Sequence, residues 1–174
     1  AINTSYGKNQ IGTFYQPDLV VCDINSLDSL KDQDWSSGMG EMVKYAVLDK
    51  SLDINKLASR SDLGALMENI YQAIAIKAKY VMADEFDKGQ RQALNLGHTL
   101  GHAIEKLSDY ELRHGQAVAL GLNLISRYAV ARGMMKFSDH ISIAMSVDLL
   151  FRVLEDSGPL PTAPIGSAPV STMC

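Results

Sequence analysis

Four polar residues, spaced by four, three and four positions, constrain the fold of this chain more than any other feature. They are Arg91, Asn95, His98 and His102, and the positions between them are mainly apolar or small. This spacing predicts one helix, from about Arg91 to Leu107, with all four side chains on one face. A helix with such a polar face either builds a site or hides polar groups that need partners.

A third histidine extends this candidate site. His114 follows His102 by twelve residues and begins a second predicted helix that ends near Ala131. His98 and His102, four positions apart, could bind one metal together or divide metal binding and proton transfer, and His114 could add a nitrogen ligand. The residue after His98 is Thr99, where the zinc metalloprotease motif has glutamate, so the sequence excludes that class of protease.

Glu41 is the candidate for a carboxylate ligand. It lies among small and apolar residues, and Lys44 follows on the same predicted helix face. A carboxylate in such surroundings is costly unless it meets a cation. The alternatives are a surface glutamate favoured by the helix dipole and a simply solvated lysine, and the sequence leaves both open.

Three further polar residues have an ordinary interpretation beside a functional one. Lys77 lies in a mostly apolar helical segment, where it either extends its stem to reach solvent or binds an anion. Lys8 and Asn9 follow Gly7 and suit a plain turn. The glycine motif around Lys8 is too short for a phosphate-binding loop of the type that ends in Gly-Lys-Ser/Thr.

The remaining pattern predicts a mainly α fold. Strand-like runs at 11–15 and 19–23 flank a turn with proline and predict a short β-hairpin near the N-terminus. Everything after about residue 36 is predicted to be helical. The predicted helices are one capped by Ser36 or Ser37 and ending near Leu48, a short one at 51–58, a long one beginning at 61–62, and a last one at about 138–155.

Composition narrows the classes of partner. The net charge of −4 and the pI of about 5.5 argue against a nucleic-acid binder. No apolar run approaches the roughly 18 residues that a membrane span needs, so no membrane partner is expected. Cys22 and Cys174 are far apart and give no disulfide framework, which fits a reducing compartment. We therefore expect a cytoplasmic protein.

Six segments over about residues 1–162 resemble the 3-dehydroquinate synthase family in order and spacing. They are 7–17 (GKNQIGTFYQP), 40–45 (GEMVKY), 76–78 (IKA), 84–85 (DE), 94–105 (LNLGHTLGHAIE) and 114–118 (HGQAV). The resemblance implies the multi-helix C-terminal domain of the dehydroquinate synthase-like fold. It divides the chain into a connecting segment with short strands (1–35), a helical metal- and substrate-binding domain (36–158) and an irregular, Pro-rich tail (159–174).

The resemblance also implies roles for individual residues. Zinc, or cobalt as the alternative, would be bound by three of them, Glu41, His98 and His114. His102 would transfer protons beside the metal, and Lys44 would be catalytic as well as substrate-binding. The other substrate contacts would come from Asn9, Lys77, Arg91 and Asn95, and Lys8 would contact NAD.

The reaction that the resemblance implies is that of an NAD- and zinc-dependent carbon–oxygen lyase in the shikimate pathway. The family converts a small anionic sugar phosphate, 3-deoxy-D-arabino-heptulosonate 7-phosphate, to 3-dehydroquinate and phosphate. NAD transiently oxidises one hydroxyl, phosphate is eliminated, the ketone is reduced, the ring opens, and an aldol step closes the carbocycle. Zinc suits this chemistry because it polarises the alcohol. A homodimer is expected of the full-length enzyme.

Three departures from the family pattern qualify this expectation. The N-terminal nucleotide-binding half, which would bind most of the NAD, does not precede Ala1, and a lysine-containing segment near the family's C-terminus is missing. Gln116 stands where glutamate is usual, which predicts a weaker hydrogen bond near the metal site. We therefore expect a fragment cut at both ends that is inactive alone.

Other interpretations remain open at this stage. Another sugar-phosphate cyclase, such as 2-deoxy-scyllo-inosose synthase, would share the scaffold and the metal ligands, and a substrate panel would distinguish it. A dehydrogenase of the glycerol dehydrogenase type would carry out the redox step without releasing phosphate. A non-catalytic helical module would keep the motifs but lose metal binding.

Overall fold

The computed structural model describes residues 2–13, 15–57 and 60–155, and these residues are mainly helical, as the sequence predicts. Two strands, β1 (Ile2–Thr4) and β2 (Gly7–Ile11), precede five α-helices. The helices are α1 (Asp32–Leu48), α2 (Leu63–Ala83), α3 (His98–Leu107), α4 (His114–Ala131) and α5 (Phe137–Glu155). Three 3₁₀ helices lie between them, at Ile24–Ser29, Ile54–Lys56 and Gln90–Asn95. The Pro-rich segment 159–174 lies outside the described residues.

A hairpin forms near the N-terminus, but its strands are 2–4 and 7–11 and not the predicted 11–15 and 19–23. β1 and β2 are antiparallel, with Ile2 opposite Ile11 and Thr4 opposite Gly7. The described residues of 12–23 contain no strand, and the predicted second strand, 19–23, is exposed. An apolar run becomes a strand only when a neighbour satisfies its backbone groups, and Pro17 has no N–H to contribute to such a pair.

Helix α1 begins at Asp32 and not at the predicted serine caps. Asp32 and Asp34 lie in its first turn, where the helix dipole favours negative charge. Ser36 is buried inside the helix, and its hydroxyl donates to the Leu150 carbonyl at 3.4 Å. Ser37 accepts a hydrogen bond from the Gly115 N–H at 3.0 Å. Both serines therefore join α1 to other helices.

Two signals predict helix boundaries correctly. The Asp62 side chain accepts a hydrogen bond from the Ala65 N–H at 3.0 Å and caps α2. Helix α4 spans the predicted range and is followed by Gly133, whose φ of +70° is in the left-handed region that glycine adopts readily. Among the described residues of the 51–58 segment, only Ile54–Lys56 is helical, as a single 3₁₀ turn.

The core lies on both sides of α1. Helix α4 is central to the larger cluster, and its Val118 and Leu122 are buried between α1 and α5. The larger cluster consists of Val43, Val118, Ala119, Leu122, Ile143, Val147 and Leu150, and the smaller, between α1 and α2, of Ala46, Leu52, Ala73 and Ile76. In the described part of the chain, no helix combines the length and the apolar character that a membrane crossing requires.

The predicted single helix over 91–107 is wrong, because Gly97 divides it. Residues 90–95 form a 3₁₀ helix, and α3 begins only at His98. Gly97 has a φ of +79°, which an α-helix cannot accommodate. A Cβ at this position would lie 2.9 Å from the Val118 carbonyl oxygen, so only glycine fits against α4 there. His98 and His102 share a helix; Arg91 and Asn95 precede the break.

Candidate metal centre

Three helices bring Glu41, His98 and His114 together. Glu41 is on α1, His98 is the first residue of α3, and His114 is the first residue of α4. Glu41 Oε1 lies 3.7 Å from His98 Nε2 and 3.5 Å from His114 Nε2. One possible ligand atom from each residue lies within 4.8 Å of the other two. The two nitrogens and the carboxylate oxygen therefore face one another.

Each of these three residues is next to a glycine at a helix contact. A Cβ at Gly40 would overlap the Gly115 carbonyl, and a Cβ at Gly115 would overlap the Ser37 carbonyl, so α1 and α4 touch backbone to backbone. Gly97 fits against α4 in the same way. The donor atoms of Glu41 and His114 therefore depend directly on how closely two backbones approach.

The orientation of His98 is set by its own backbone turn. Its Nδ1 lies 3.2 Å from the Leu96 carbonyl oxygen. A carbonyl only accepts, so Nδ1 carries the hydrogen and Nε2 presents a lone pair toward Glu41. Burial lowers the pKa of His98 below its ordinary value, and the nearby Lys44 acts in the same direction. The neutral ring that binds metals is therefore favoured.

His114 is oriented by Glu105, a residue to which sequence reasoning assigned no role. Glu105 Oε2 lies 3.1 Å from His114 Nδ1, and only 4% of the Glu105 side-chain surface is exposed. The available sequence signal is the spacing: Glu105 lies four positions after Gly101 and so shares its face of α3, which the structure buries. A glutamate on the buried face of a helix requires a partner.

Lys44 is buried and paired, so the solvated-lysine alternative is wrong. Its ammonium group donates to Glu41 Oε2 and lies 4.9 Å from the centroid of the Tyr45 ring. Burial, with the Glu41 carboxylate nearby, raises the pKa of Tyr45 to about 12. One oxygen of Glu41 thus faces a lysine while the other faces the two histidines. The alternative of a surface glutamate at a helix start is wrong as well, since Glu41 lies in the second half of α1.

His102 lies beside the two histidines among the candidate ligands. Its ring centroid is 5.6 Å from that of His98 and 5.5 Å from that of His114, and its side chain is exposed. An exposed imidazole at this distance can exchange protons with solvent or with a small molecule bound over the site.

The other sequence-predicted residues lie on α2 and in the 3₁₀ helix that precedes Gly97. Lys77 is exposed on α2. Arg91 is half-buried, and its Nη1 donates to the Glu85 carbonyl oxygen at 2.6 Å. Asn95 lines a cavity of about 520 Å³ together with Thr99 and Ile125, among others.

Lys8 and Asn9 lie on strand β2, so the prediction of a plain turn there is wrong. Their side chains lie outside the described residues.

Among the described residues, no hydrogen bond joins the Gln116 side chain to the candidate ligands. It is buried, and its Oε1 accepts from the Arg113 N–H at 2.9 Å, which satisfies a backbone donor at the start of α4. A glutamate would accept the same bond, so this contact does not distinguish the two residues, and the weaker hydrogen bond near the metal site stays a prediction. His140 is half-buried, with Nδ1 2.8 Å from Ser126 Oγ.

The chain matches two family models that adjoin one another. The model described as "3-dehydroquinate synthase C-terminal" matches residues 38–155, and the one described as "3-dehydroquinate synthase N-terminal" matches residues 1–37. The first match alone covers more than half of the chain and includes all three candidate ligands.

Curated relatives carry the same family name. A 3-dehydroquinate synthase of Helicobacter pylori (strain HPAG1) is 41% identical over 155 residues, which are 86% of this chain and 45% of the relative. One of Leuconostoc citreum (strain KM20) is 47% identical over 138 residues, 77% of this chain and 38% of the relative. The chain thus spans less than half the length of these relatives.

Solved structures of related cyclases share the fold. The structure of 2-deoxy-scyllo-inosose synthase with carbaglucose-6-phosphate, NAD+ and Co2+ matches with a TM-score of 0.71 and 27% identity, over 97% of this chain and 46% of that one. ValA, a 2-epi-5-epi-valiolone synthase from Streptomyces hygroscopicus subsp. jinggangensis 5008 with NAD+ and Zn2+ bound, matches with a TM-score of 0.66 and 20% identity, over 88% and 49%.

Proposed function

The chain belongs to the 3-dehydroquinate synthase family, and from this we propose that it is the metal- and substrate-binding half of a 3-dehydroquinate synthase. In that enzyme it would act on 3-deoxy-D-arabino-heptulosonate 7-phosphate, with NAD bound mainly by a preceding nucleotide-binding half. The observation that carries the proposal is the convergence of Glu41, His98 and His114 from three helices, with His102 and Lys44 beside them.

The donor set fits a zinc ion, or the chemically similar cobalt. Ligand atoms on a tetrahedral zinc with bonds of ~2.0–2.1 Å lie roughly 3.3 Å apart. The distances of 3.7 and 3.5 Å from Glu41 Oε1 to the two Nε2 atoms are close to that separation. With hydrogens at both Nδ1 atoms, His98 and His114 turn lone pairs toward a carboxylate oxygen, an arrangement that a cation between them would stabilise.

When bound, zinc would supply Lewis-acid polarisation of a substrate hydroxyl. Two neighbouring side chains, Lys44 and His102, would orient the ligands and move protons. Lys44 holds Glu41 by one oxygen and so keeps the other directed at the histidines. His102 is exposed beside the ligands and is suited to move a proton at its imidazole nitrogen.

The substrate is a sugar acid that carries both a carboxylate and a phosphate, so its binding requires cations. We propose that Lys44, Lys77 and Arg91 provide them, and that Asn9 and Asn95 add hydrogen bonds to hydroxyl groups. Lys8 would contact NAD. The Arg91 backbone is held in place by Asp84, whose Oδ2 accepts from the Arg91 N–H at 3.2 Å.

A chimeric enzyme tests the proposal. Residues 1–155 would replace the matching segment of the H. pylori relative, to which this chain is 41% identical over 155 residues. We expect zinc- and NAD-dependent release of phosphate from 3-deoxy-D-arabino-heptulosonate 7-phosphate, and its loss in His98→Ala. A folded chimera that binds zinc and releases no phosphate would contradict the proposal.

The alternative cyclase is tested with the same protein. The likeness to a 2-deoxy-scyllo-inosose synthase bound to carbaglucose-6-phosphate makes a hexose 6-phosphate the appropriate competing substrate. The identity of 41–47% with curated 3-dehydroquinate synthases, against 27% with the inosose synthase, favours the heptulosonate. Faster phosphate release from glucose 6-phosphate would favour the alternative.

A further inference from the structure

Glu105 is a buried carboxylate for which the reaction has no direct use. It lies on α3, one turn beyond His102, with 4% of its side-chain surface exposed. Burying a carboxylate is costly unless charged or polar partners compensate. Its Oε2 lies 3.1 Å from His114 Nδ1, the ring nitrogen that points away from Glu41. Glu105 therefore contacts His114 through the ring nitrogen on the side away from the candidate metal site.

We propose that Glu105 is a positioning residue, which holds a hydrogen on His114 Nδ1 and so keeps the Nε2 lone pair directed into the metal site. The inference rests on the proposed metal site. A carboxylate oxygen accepts hydrogen bonds, so the hydrogen between the two atoms belongs to His114 Nδ1. The remaining nitrogen, Nε2, is the one that lies 3.5 Å from Glu41 Oε1.

His114 needs such support more than His98 does. His98 has a backbone carbonyl within 3.2 Å and 15% of its side-chain surface exposed, whereas His114 has 43% exposed. A partly exposed imidazole at the first position of a helix can change rotamer or tautomer at small cost. Glu105 opposes both changes, because it is fixed on the buried face of α3.

A different role, as a ligand to a second metal ion, is possible for the same carboxylate. His102, Glu105 and His114 each offer one atom within 4.8 Å of the others. A His114 that donates from Nδ1 to Glu105 cannot offer Nδ1 to a metal at the same time. The two roles therefore differ in zinc stoichiometry and in the position of the hydrogen.

Zinc affinity of the full 174-residue chain tests the inference, measured by chelator competition with Zn2+ as the only added metal. Glu105→Met removes the acceptor and keeps the volume, and we expect zinc to bind about 10–100-fold more weakly. Glu105→Gln keeps an acceptor oxygen and is expected to restore most of the affinity. Glu111→Gln, at an exposed site near the end of α3, is the control and leaves the affinity unchanged.

The position of the hydrogen is a second readout that needs no variant of Glu105. Nitrogen NMR of the zinc-free chain, with the His114 signal assigned through His114→Asn, is expected to give the Nδ1–H tautomer. An Nε2–H tautomer, an unchanged zinc affinity in a folded Glu105→Met chain, or two zinc ions per chain with one lost in Glu105→Met would each overturn the inference. If the parent chain binds no zinc, the proposed function fails, and the tautomer alone decides the role of Glu105.

Discussion

Lys44 donates to Glu41 Oε2, the carboxylate oxygen opposite the one that faces the two histidines. The lysine side chain is 5% exposed and that of Glu41 is 29% exposed. The lysine side chain is therefore the more buried member of the pair. Lys44 is therefore both a residue of the candidate site and a buried part of the protein interior, so its replacement should affect stability.

Replacing Lys44 with methionine is expected to lower the free energy of unfolding by about 1–3 kcal/mol. The cause is a carboxylate left without its cation, and the partial exposure of Glu41 keeps the loss below that of a fully buried pair. Urea denaturation measures it. Lys79→Met is the control, since the pair of Lys79 with Asp49 lies at the surface, where solvent and salt screen it. A Lys44→Met chain as stable as the parent would mean that burying the ammonium group costs as much as the pair returns.

Gly115→Ala is expected to destabilise the chain by about 1–3 kcal/mol and to weaken zinc binding, because the new Cβ would overlap the Ser37 carbonyl and separate α4 from α1. Gly38→Ala is the matched control on α1, where nothing lies within 4 Å of the added Cβ. That change is expected to stabilise the helix by about 0.5–1 kcal/mol. Equal effects of the two substitutions would contradict the close approach of the backbones.

Zinc itself is expected to stabilise the chain. At a free zinc concentration of 100 times Kd, binding to the folded state alone adds about 2.7 kcal/mol to the free energy of unfolding. The increment should disappear in His98→Ala. It should persist in His140→Ala, which removes the fourth histidine, the one that contacts Ser126. Denaturation with zinc and with a chelator gives both increments, and a zinc effect that survives in His98→Ala would place the ion elsewhere.

Asp84 is expected to make stability depend on acid pH. Hydrogen bonds from the backbone N–H groups of Lys88, Gly89 and Arg91 lower the pKa of this carboxyl below its ordinary value of 3.8. A carboxyl with a lowered pKa contributes its full stabilisation above 3.8, and loses it as the pH falls through the lower, folded-state pKa.

The measurement for Asp84 is a comparison with Asp84→Asn by urea denaturation at a series of pH values. The variant should be less stable than the parent near neutral pH, and the difference should shrink in acid. Asp18→Asn, outside the helices, serves as the control. A difference that is constant at all pH values would mean that the charge of Asp84 does not hold the loop before Arg91.

Much of the helical fold follows from local chemistry in the sequence. The cap at Asp62 and the glycine at 133 predict the start of α2 and the end of α4 because both act on the backbone within a few residues. The spacing of His98 and His102 likewise predicts that they lie on one helix. These signals need no knowledge of the rest of the chain.

The sequence predictions fail at positions whose structure depends on packing against a helix far away in the chain. Periodicity alone carried the predicted helix from Arg91 to Leu107 through Gly97, whose left-handed backbone is required by contact with α4. Ser37 resembles an N-cap in sequence, yet its hydroxyl serves Gly115 in another helix. The burial of Lys44 and the partner of Glu105 depend in the same way on packing between elements that are far apart in the chain.

Each candidate ligand is one residue away from a glycine at which two backbones touch. Each donor atom is therefore fixed by a backbone contact next to it, and a shift elsewhere in the same helix is not transmitted over many residues to reach it. Glu41, His98 and His114 therefore depend on Gly40, Gly97 and Gly115, where a side chain would push neighbouring helices apart, more than on the solvent faces of α2 and α5. Moving this candidate metal site into another protein would therefore require each ligand together with its neighbouring glycine, and not the three ligand side chains alone.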